Sequence, residues 1–188
     1  MQFKLTKLGL DGVLVVTPER ISDARGFFME TFRASTFSDL RIDAEFVQEN
    51  QAFSQSAGTV RGLHFQKPPF AQAKLVTALR GSIFDVAVDL RPHSSTFGRW
   101  VGATLTETTA NQMYIPRGFA HGYCSLQDAT LVSYKCDAYY APGSEGGVLF
   151  SDPLIGITWP VSVEQAILSD KDRALPLLSS IRTSLSAD

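Results

Sequence analysis

Short runs of alternating apolar and polar residues dominate this chain, and most are closed by turn-forming residues. The pattern predicts strands over Phe3 to Leu8, Val13 to Thr17 and Phe27 to Phe32, the last following the turn Ser22-Asp23-Ala24-Arg25-Gly26. Further strands are predicted over Val60 to Gln66, Lys74 to Leu79, Ser82 to Leu90, Arg99 to Thr106, Gln112 to Ile115, Ala120 to Leu126 and Thr130 to Cys136. Arg80-Gly81, between two of these runs, reads as a hairpin turn. Alternation is clearest in Ser82 to Leu90, which sets Phe84, Val86, Val88 and Leu90 on one face and Ile83, Asp85, Ala87 and Asp89 on the other. The second face is only half polar, as expected where a sheet lines a pocket. Helical signals are confined to Ala34 to Leu40 and to the region after Val161. Many short strands with little helix predict an all-β chain, either a sandwich or a double-sheet jelly roll, and the pattern leaves both open.

No linker, repeat or low-complexity tract divides the 188 residues, so a single domain over 1–188 is expected. A formal charge of -2, from 17 basic against 19 acidic residues, gives no electrostatic reason to expect nucleic acid or an anionic membrane as partner. An anionic ligand would have to be held by a few placed cations. The N-terminus lacks an uninterrupted apolar region and no stretch approaches a membrane span, so a cytoplasmic protein is expected. Cys124 and Cys136 sit in strand-like runs and read as buried reduced thiols rather than a disulfide or metal pair.

Three histidines are available for chemistry: His64, His93 and His121. No His-x-His pair is present, so the usual strand-borne metal platform is missing and no metal is expected. His93 lies in Arg91-Pro92-His93-Ser94-Ser95 and reads as an exposed turn residue. Alternation puts His64 on one face with Gly62 and Gln66, a polar-pocket setting, and turns Arg61, Leu63 and Phe65 the other way. His121 is bracketed by Gly118 and Gly122, which leave room for a ligand or serve a tight turn. Taken singly, Lys74 reads as an edge lysine, Tyr134 as a sheet aromatic and Asp172 as part of a surface charge cluster.

The segments RGLHFQ (61–66), AQAKLV (71–76), DVAVDLR (85–91), PRGFAHGY (116–123), SYKCDAYYAPGSEGG (133–147), DPLIGITWP (152–160) and LSDKD (168–172) follow one another in this order. Together they resemble the dTDP-4-dehydrorhamnose 3,5-epimerase family, dTDP-sugar epimerases built on a cupin jelly roll. The resemblance runs from about Gly12 to Pro176, with Ser95 and Tyr123 as local variants. It implies a cupin double-stranded β-helix with short helices at the periphery and C-terminus, no cofactor, a dTDP-sugar substrate and a homodimer exchanging N-terminal strands. His64 matches the base, Asp172 its carboxylate partner, Tyr134 the acid on the other side of the sugar, and Lys74 and His121 the groups at the sugar carbonyl. Arg25 and Arg61 match pyrophosphate-binding arginines. Glu30, Gln48, Asn50, Tyr140 and Glu145 match positions around the sugar and nucleotide.

The implied reaction explains these residue types. A proton next to a ketone becomes acidic only when the developing enolate oxygen is stabilised, a role for Lys74 with His121. A histidine oriented by a carboxylate accepts that proton, and inversion needs a donor on the opposite face, matched by Tyr134. Two other readings are a silent cupin that only binds a nucleotide sugar and a metal-dependent cupin enzyme. The retained His64, Asp172 and Tyr134 disfavour the first, and the missing His-x-His disfavours the second. Inversion at C3 alone or C5 alone, as in an antibiotic-sugar pathway, stays open beside inversion at both. If Arg61 and His64 serve one site, either Gly62 marks a bulge or Arg61 reaches a partner subunit.

Overall fold

The computed structural model describes residues 2–185. Two antiparallel sheets face each other. The larger contains β1 (Phe3–Lys7), β2 (Leu14–Pro18), β5 (Gln48–Ser54), β7 (Lys74–Arg80), β10 (Gln112–Ile115) and β12 (Thr130–Cys136), in the order β1-β2-β10-β7-β12-β5. The smaller contains β6 (Val60–Gln66), β8 (Ser82–Asp89), β9 (Trp100–Thr106), β11 (Phe119–Ser125) and β13 (Glu145–Gly147), ordered β13-β6-β11-β8-β9. A detached hairpin is made of β3 (Ile21–Asp23) and β4 (Gly26–Phe28), and α1 spans Ala34–Asp39. This is a double-sheet jelly roll, which settles the choice the alternation left open.

Its interior is apolar at one end. Val15, Val76, Ala78, Met113 and Val132 from the larger sheet meet Ile83, Ala87, Leu105 and Phe119 from the smaller one. The opposite face of β8 is buried as well. Val86, Val88 and Leu90 pack with Val148, Ile155 and Leu178, so the C-terminal segment covers the outer side of the smaller sheet. Fully burying each such aliphatic side chain contributes about 1.5–3 kcal/mol. Asp152 fixes this cover by accepting hydrogen bonds from the backbone N–H groups of Leu154, Ile155 and Leu178. That cover ends in α2 (Asp170–Arg173) and α3 (Leu178–Leu185).

Several strand expectations change. Arg80-Gly81 is not a hairpin turn: β7 pairs with β10 and β12, whereas β8 pairs with β9 and β11. The chain changes sheets there, with Gly81 at φ +75° and a Cβ at that site 2.6 Å from Thr130 Oγ1. The Phe27 to Phe32 run is strand only as far as Phe28. β5 and β13 escaped the pattern altogether.

Asp89 ties β8 to the loop carrying His93. Its buried carboxylate accepts from Arg91 N, Nε and Nη2, from Ser94 Oγ and from Thr96 Oγ1. Burial alone would raise this carboxyl, but these bonds outweigh it and hold the group down at about 2. A depressed carboxyl stabilises the fold above its unfolded value near 3.9 and loses that contribution as pH falls through its folded value. Asp89→Asn should therefore cost about 2 kcal/mol at pH 7. In urea melts the gap from wild type should close as pH drops from about 4 toward 2.

Candidate active site

The polar end of the interior is a cleft with two adjoining lobes that share His64, Lys74 and Tyr134. One lobe, about 290 Å³, is completed by Gln48, Asn50, Gln66, Gln72, Tyr140 and Glu145 among others. The other, about 230 Å³, adds Arg61, His121, Tyr123, Ser169, Lys171 and Asp172. A groove of about 450 Å³ on the outer face of the larger sheet holds no histidine and none of the expected site residues. The expected site residues gather instead in the two-lobed cleft, each lobe of which is smaller than that groove.

The arrangement follows from strand register. Lys74 and Tyr134 occupy inward positions on β7 and β12, the latter opposite Val76 and Asn50. Gln48, opposite Cys136, and Asn50 extend the same inner face on β5. On the facing sheet His64 pairs with His121, and Arg61 with Tyr123. Between those pairs β6 has two residues, Gly62 and Leu63, where β11 has only Gly122. This bulge turns Arg61 to the same side as His64, so strict alternation fails at the position where one site requires it to fail. Gly62 has φ +121°, and a Cβ there would lie 2.6 Å from Gly122 Cα and 2.7 Å from His121 O. Only glycine fits.

His64 Nε2 lies 2.7 Å from Asp172 Oδ1. The carboxylate is brought by α2, whose N-cap Ser169 accepts from Asp172 N, and Asp172 Oδ2 accepts the Gly62 N–H at 3.2 Å. Asp172 is thus buried in the site, not part of a surface cluster. Burial works to raise its carboxyl, but the bonds to His64, Gly62 and Ser169 prevail and hold it below the ordinary carboxylate value. Facing an ionised Asp172, Nε2 of the neutral ring carries the proton and Nδ1 keeps its lone pair. The His64 side chain is 30% exposed.

A second pair lies deeper. His121 Nε2 is 2.7 Å from Asp85 Oδ1, with side-chain exposures of 8% and 0%. Burial, reinforced by Lys74 and His64, pushes His121 below its ordinary value against the pull of Asp85. Asp85 is raised by burial, opposed by His121 and Lys74. Lys74 is half-buried by accessible surface, and desolvation lowers it against Cys136, Asp85 and Glu145. Tyr134 is raised chiefly by burial and stays a protonated donor at neutral pH. At the rim, Glu145 Oε2 accepts from Tyr140 Oη at 2.9 Å and from Lys171 Nζ at 2.7 Å.

Ten of the twelve expected site residues line this cleft. Arg25 and Glu30 do not: they pair with Asp23 and Arg33 on and just beyond the β3–β4 hairpin. Sequence reasoning set Asp85 and Gln66 on pocket-lining faces without giving either a role, and it missed Gln72. Alternation beside His64 was the signal for Gln66 and a carboxylate inside the apolar run of β8 that for Asp85; Gln72 carries no local signal, and the two glutamines brace the 138–141 loop through its backbone. Cys124 and Cys136 are buried free thiols, and His93 is exposed. Among the described residues no group of three His, Cys, Asp or Glu side chains converges as a metal-ligand set, and no helix is long and apolar enough to cross a membrane.

Imidazole–carboxylate pairs, a half-buried lysine and a phenol around one polar cleft in a jelly roll define a cupin-type acid–base site. The comparisons narrow the class. A family model described as dTDP-4-dehydrorhamnose 3,5-epimerase matches residues 7–180. The dTDP-4-dehydrorhamnose 3,5-epimerase of Methanothermobacter thermautotrophicus is 45% identical over 173 residues, 92% of either chain. The crystal structure of the Bacillus anthracis enzyme with TDP and PPi bound is similar with a TM-score of 0.91 at 44% identity, covering 94% of this chain and 100% of that one. The Legionella pneumophila epimerase in complex with dTDP-4-keto-L-rhamnose gives a TM-score of 0.92 at 42% identity, covering 98% and 97%. This chain belongs to the dTDP-4-dehydrorhamnose 3,5-epimerase family.

Proposed function

We propose that this chain converts dTDP-4-dehydro-6-deoxy-D-glucose to dTDP-4-dehydro-L-rhamnose, inverting C3 and C5 through an enolate. The observation that carries this reading is the placement of His64 and Tyr134 on facing sheets across one cleft, with Lys74 between the same two lobes. His64 Nδ1 takes the proton next to the ketone, while Asp172 holds the ring and stabilises the imidazolium that forms. Lys74 faces the carbonyl oxygen as charge develops there. His121, kept neutral, leaves Lys74 as the cation common to both lobes, Lys171 being paired with Glu145 at the rim. Tyr134 returns a proton to the opposite face of the planar enolate. Arg61 holds the pyrophosphate, and Gln48, Asn50, Tyr140 and Glu145 border the sugar and nucleotide. None of these steps uses a metal or redox cofactor.

Residues 1–188 act as one cupin epimerase unit, cytoplasmic and without a nucleic-acid partner. The active form is a homodimer. Arg25 has a 90% exposed side chain, and Ile21, Phe27 and Phe28 beside it are more than half exposed. An apolar hairpin carrying an arginine fits a neighbouring subunit better than water. Arg25 would then reach the partner's pyrophosphate site, and Glu30 its sugar and nucleotide surroundings. Light scattering at micromolar concentration should give a dimer mass; a monomer would contradict this assembly.

The direct test is incubation with dTDP-4-keto-6-deoxyglucose in deuterated water, with proton NMR reading exchange and inversion at C3 and C5. Wild type should do both at both centres. His64→Ala should lose both by at least about 100-fold, the scale of a missing general base. Tyr134→Phe should still wash deuterium into the sugar while forming little epimerised product. Equal loss of exchange and inversion in Tyr134→Phe would end the two-face scheme, and substantial exchange in His64→Ala would remove His64 as base.

A further inference from the structure

Two buried side-chain atoms lack a hydrogen-bond partner among the described residues: Asp85 Oδ2 and Tyr123 Oη. One is an acceptor and the other carries a donor. Tyr123 and Asp85 are directly opposed across β11 and β8 and point to the same inner face, where opposed Cβ atoms lie about 4.5–5.5 Å apart. Both residues are buried, Tyr123 at 3% and Asp85 at 0% exposure. Buried polar groups of this kind are ordinarily satisfied, by protein or by a trapped water. The other oxygen of Asp85 is already committed to His121 Nε2.

We propose that Tyr123 is a positioning residue whose hydroxyl donates to a single trapped water, which in turn donates to Asp85 Oδ2. This chain fixes the second oxygen of the carboxylate that orients His121. It rests on the proposed function only in making His121 worth orienting. The charged and titratable groups facing Asp85 and Tyr123 are Lys74 from β7, Arg61 and His64 from β6, His121 from β11 and Tyr134 from β12. Ser54 on β5 also neighbours the phenol and opposes the effect of burial on it, while its own Oγ accepts from Arg61 Nε at 3.4 Å. Burial pushes the Tyr123 hydroxyl up to about 12, so it is a constant donor across the working pH range. A phenylalanine would preserve the packing of the ring in the interior cluster and remove only that donor.

Two measurements on the resting protein test this without substrate. A high-resolution crystal structure should show one water within hydrogen-bond distance of both Tyr123 Oη and Asp85 Oδ2. Carbon-13 NMR of Tyr123→Phe should show the Asp85 carboxyl titrating higher than in wild type, by about one pH unit, with an unchanged melting midpoint. In turnover the same variant should lose about 3- to 10-fold in kcat with KM unchanged, the scale of one hydrogen bond. No water between the two atoms overturns the proposal. So does an unchanged Asp85 titration in Tyr123→Phe, even if a water is seen. A wild-type protein that passes both resting tests but exchanges no sugar protons would sink the epimerase reading and leave this one standing.

Discussion

Between the cross-strand pairs Arg61–Tyr123 and His64–His121, β6 uses two residues where β11 uses one, and the cleft depends on that mismatch. Without the extra residue, period-2 geometry would turn either Arg61 or His64 away from the interior. With it, a cation and a base share a wall, Leu63 still packs into the outer cluster, and the Gly62 N–H points at Asp172. The glycines at 62 and 122 are the steric condition for it, because the two backbones touch where a Cβ would stand. A local irregularity of one residue thus reaches outward to α2 and inward to the polar cleft.

The two histidine–carboxylate pairs share a 2.7 Å contact and differ in what surrounds them. Asp172 receives hydrogen bonds enough to overcome its burial, so it stays charged and holds a partly exposed imidazole. Asp85 lies deeper, where desolvation dominates, beside an ammonium that disfavours a second positive charge on His121. Environment thus shifts two chemically identical pairs differently, keeping Asp172 ionised beside a partly exposed ring and His121 below its ordinary value. Lys74 then stands as the group able to meet negative charge developing on the substrate.

Much of this was legible in the residues. Strands with one apolar stripe, such as β2, β7, β8, β11 and β12, were found within a residue or two of their observed ends, and seven ordered motifs contain eight of the ten cleft residues, Gln48 and Asn50 coming from the resemblance outside them. What escaped had a physical cause. β5 turns Gln48, Asn50, Ala52 and Ser54 inward, so a strand that builds a polar pocket shows no apolar period to detect. Arg80-Gly81 looks like a hairpin locally, but β8 is buried on both faces and belongs to the other sheet. Asp172 sits in a run of charges, and only a contact spanning 108 residues reveals it as a buried partner. Arg25 and Glu30 were placed by resemblance alone, and within one chain they stay on an outer arm.

An ionised Asp172 keeps the proton of the neutral His64 ring on Nε2 and leaves Nδ1 free. Nitrogen-15 NMR of the histidine rings reads this directly. Neutral His64 should show a protonated Nε2 and an unprotonated Nδ1, and Asp172→Asn should disturb that preference while leaving the His121 signals in place. A neutral His64 protonated on Nδ1, or a ring indifferent to the loss of the Asp172 charge, would contradict the assignment of His64 as the base.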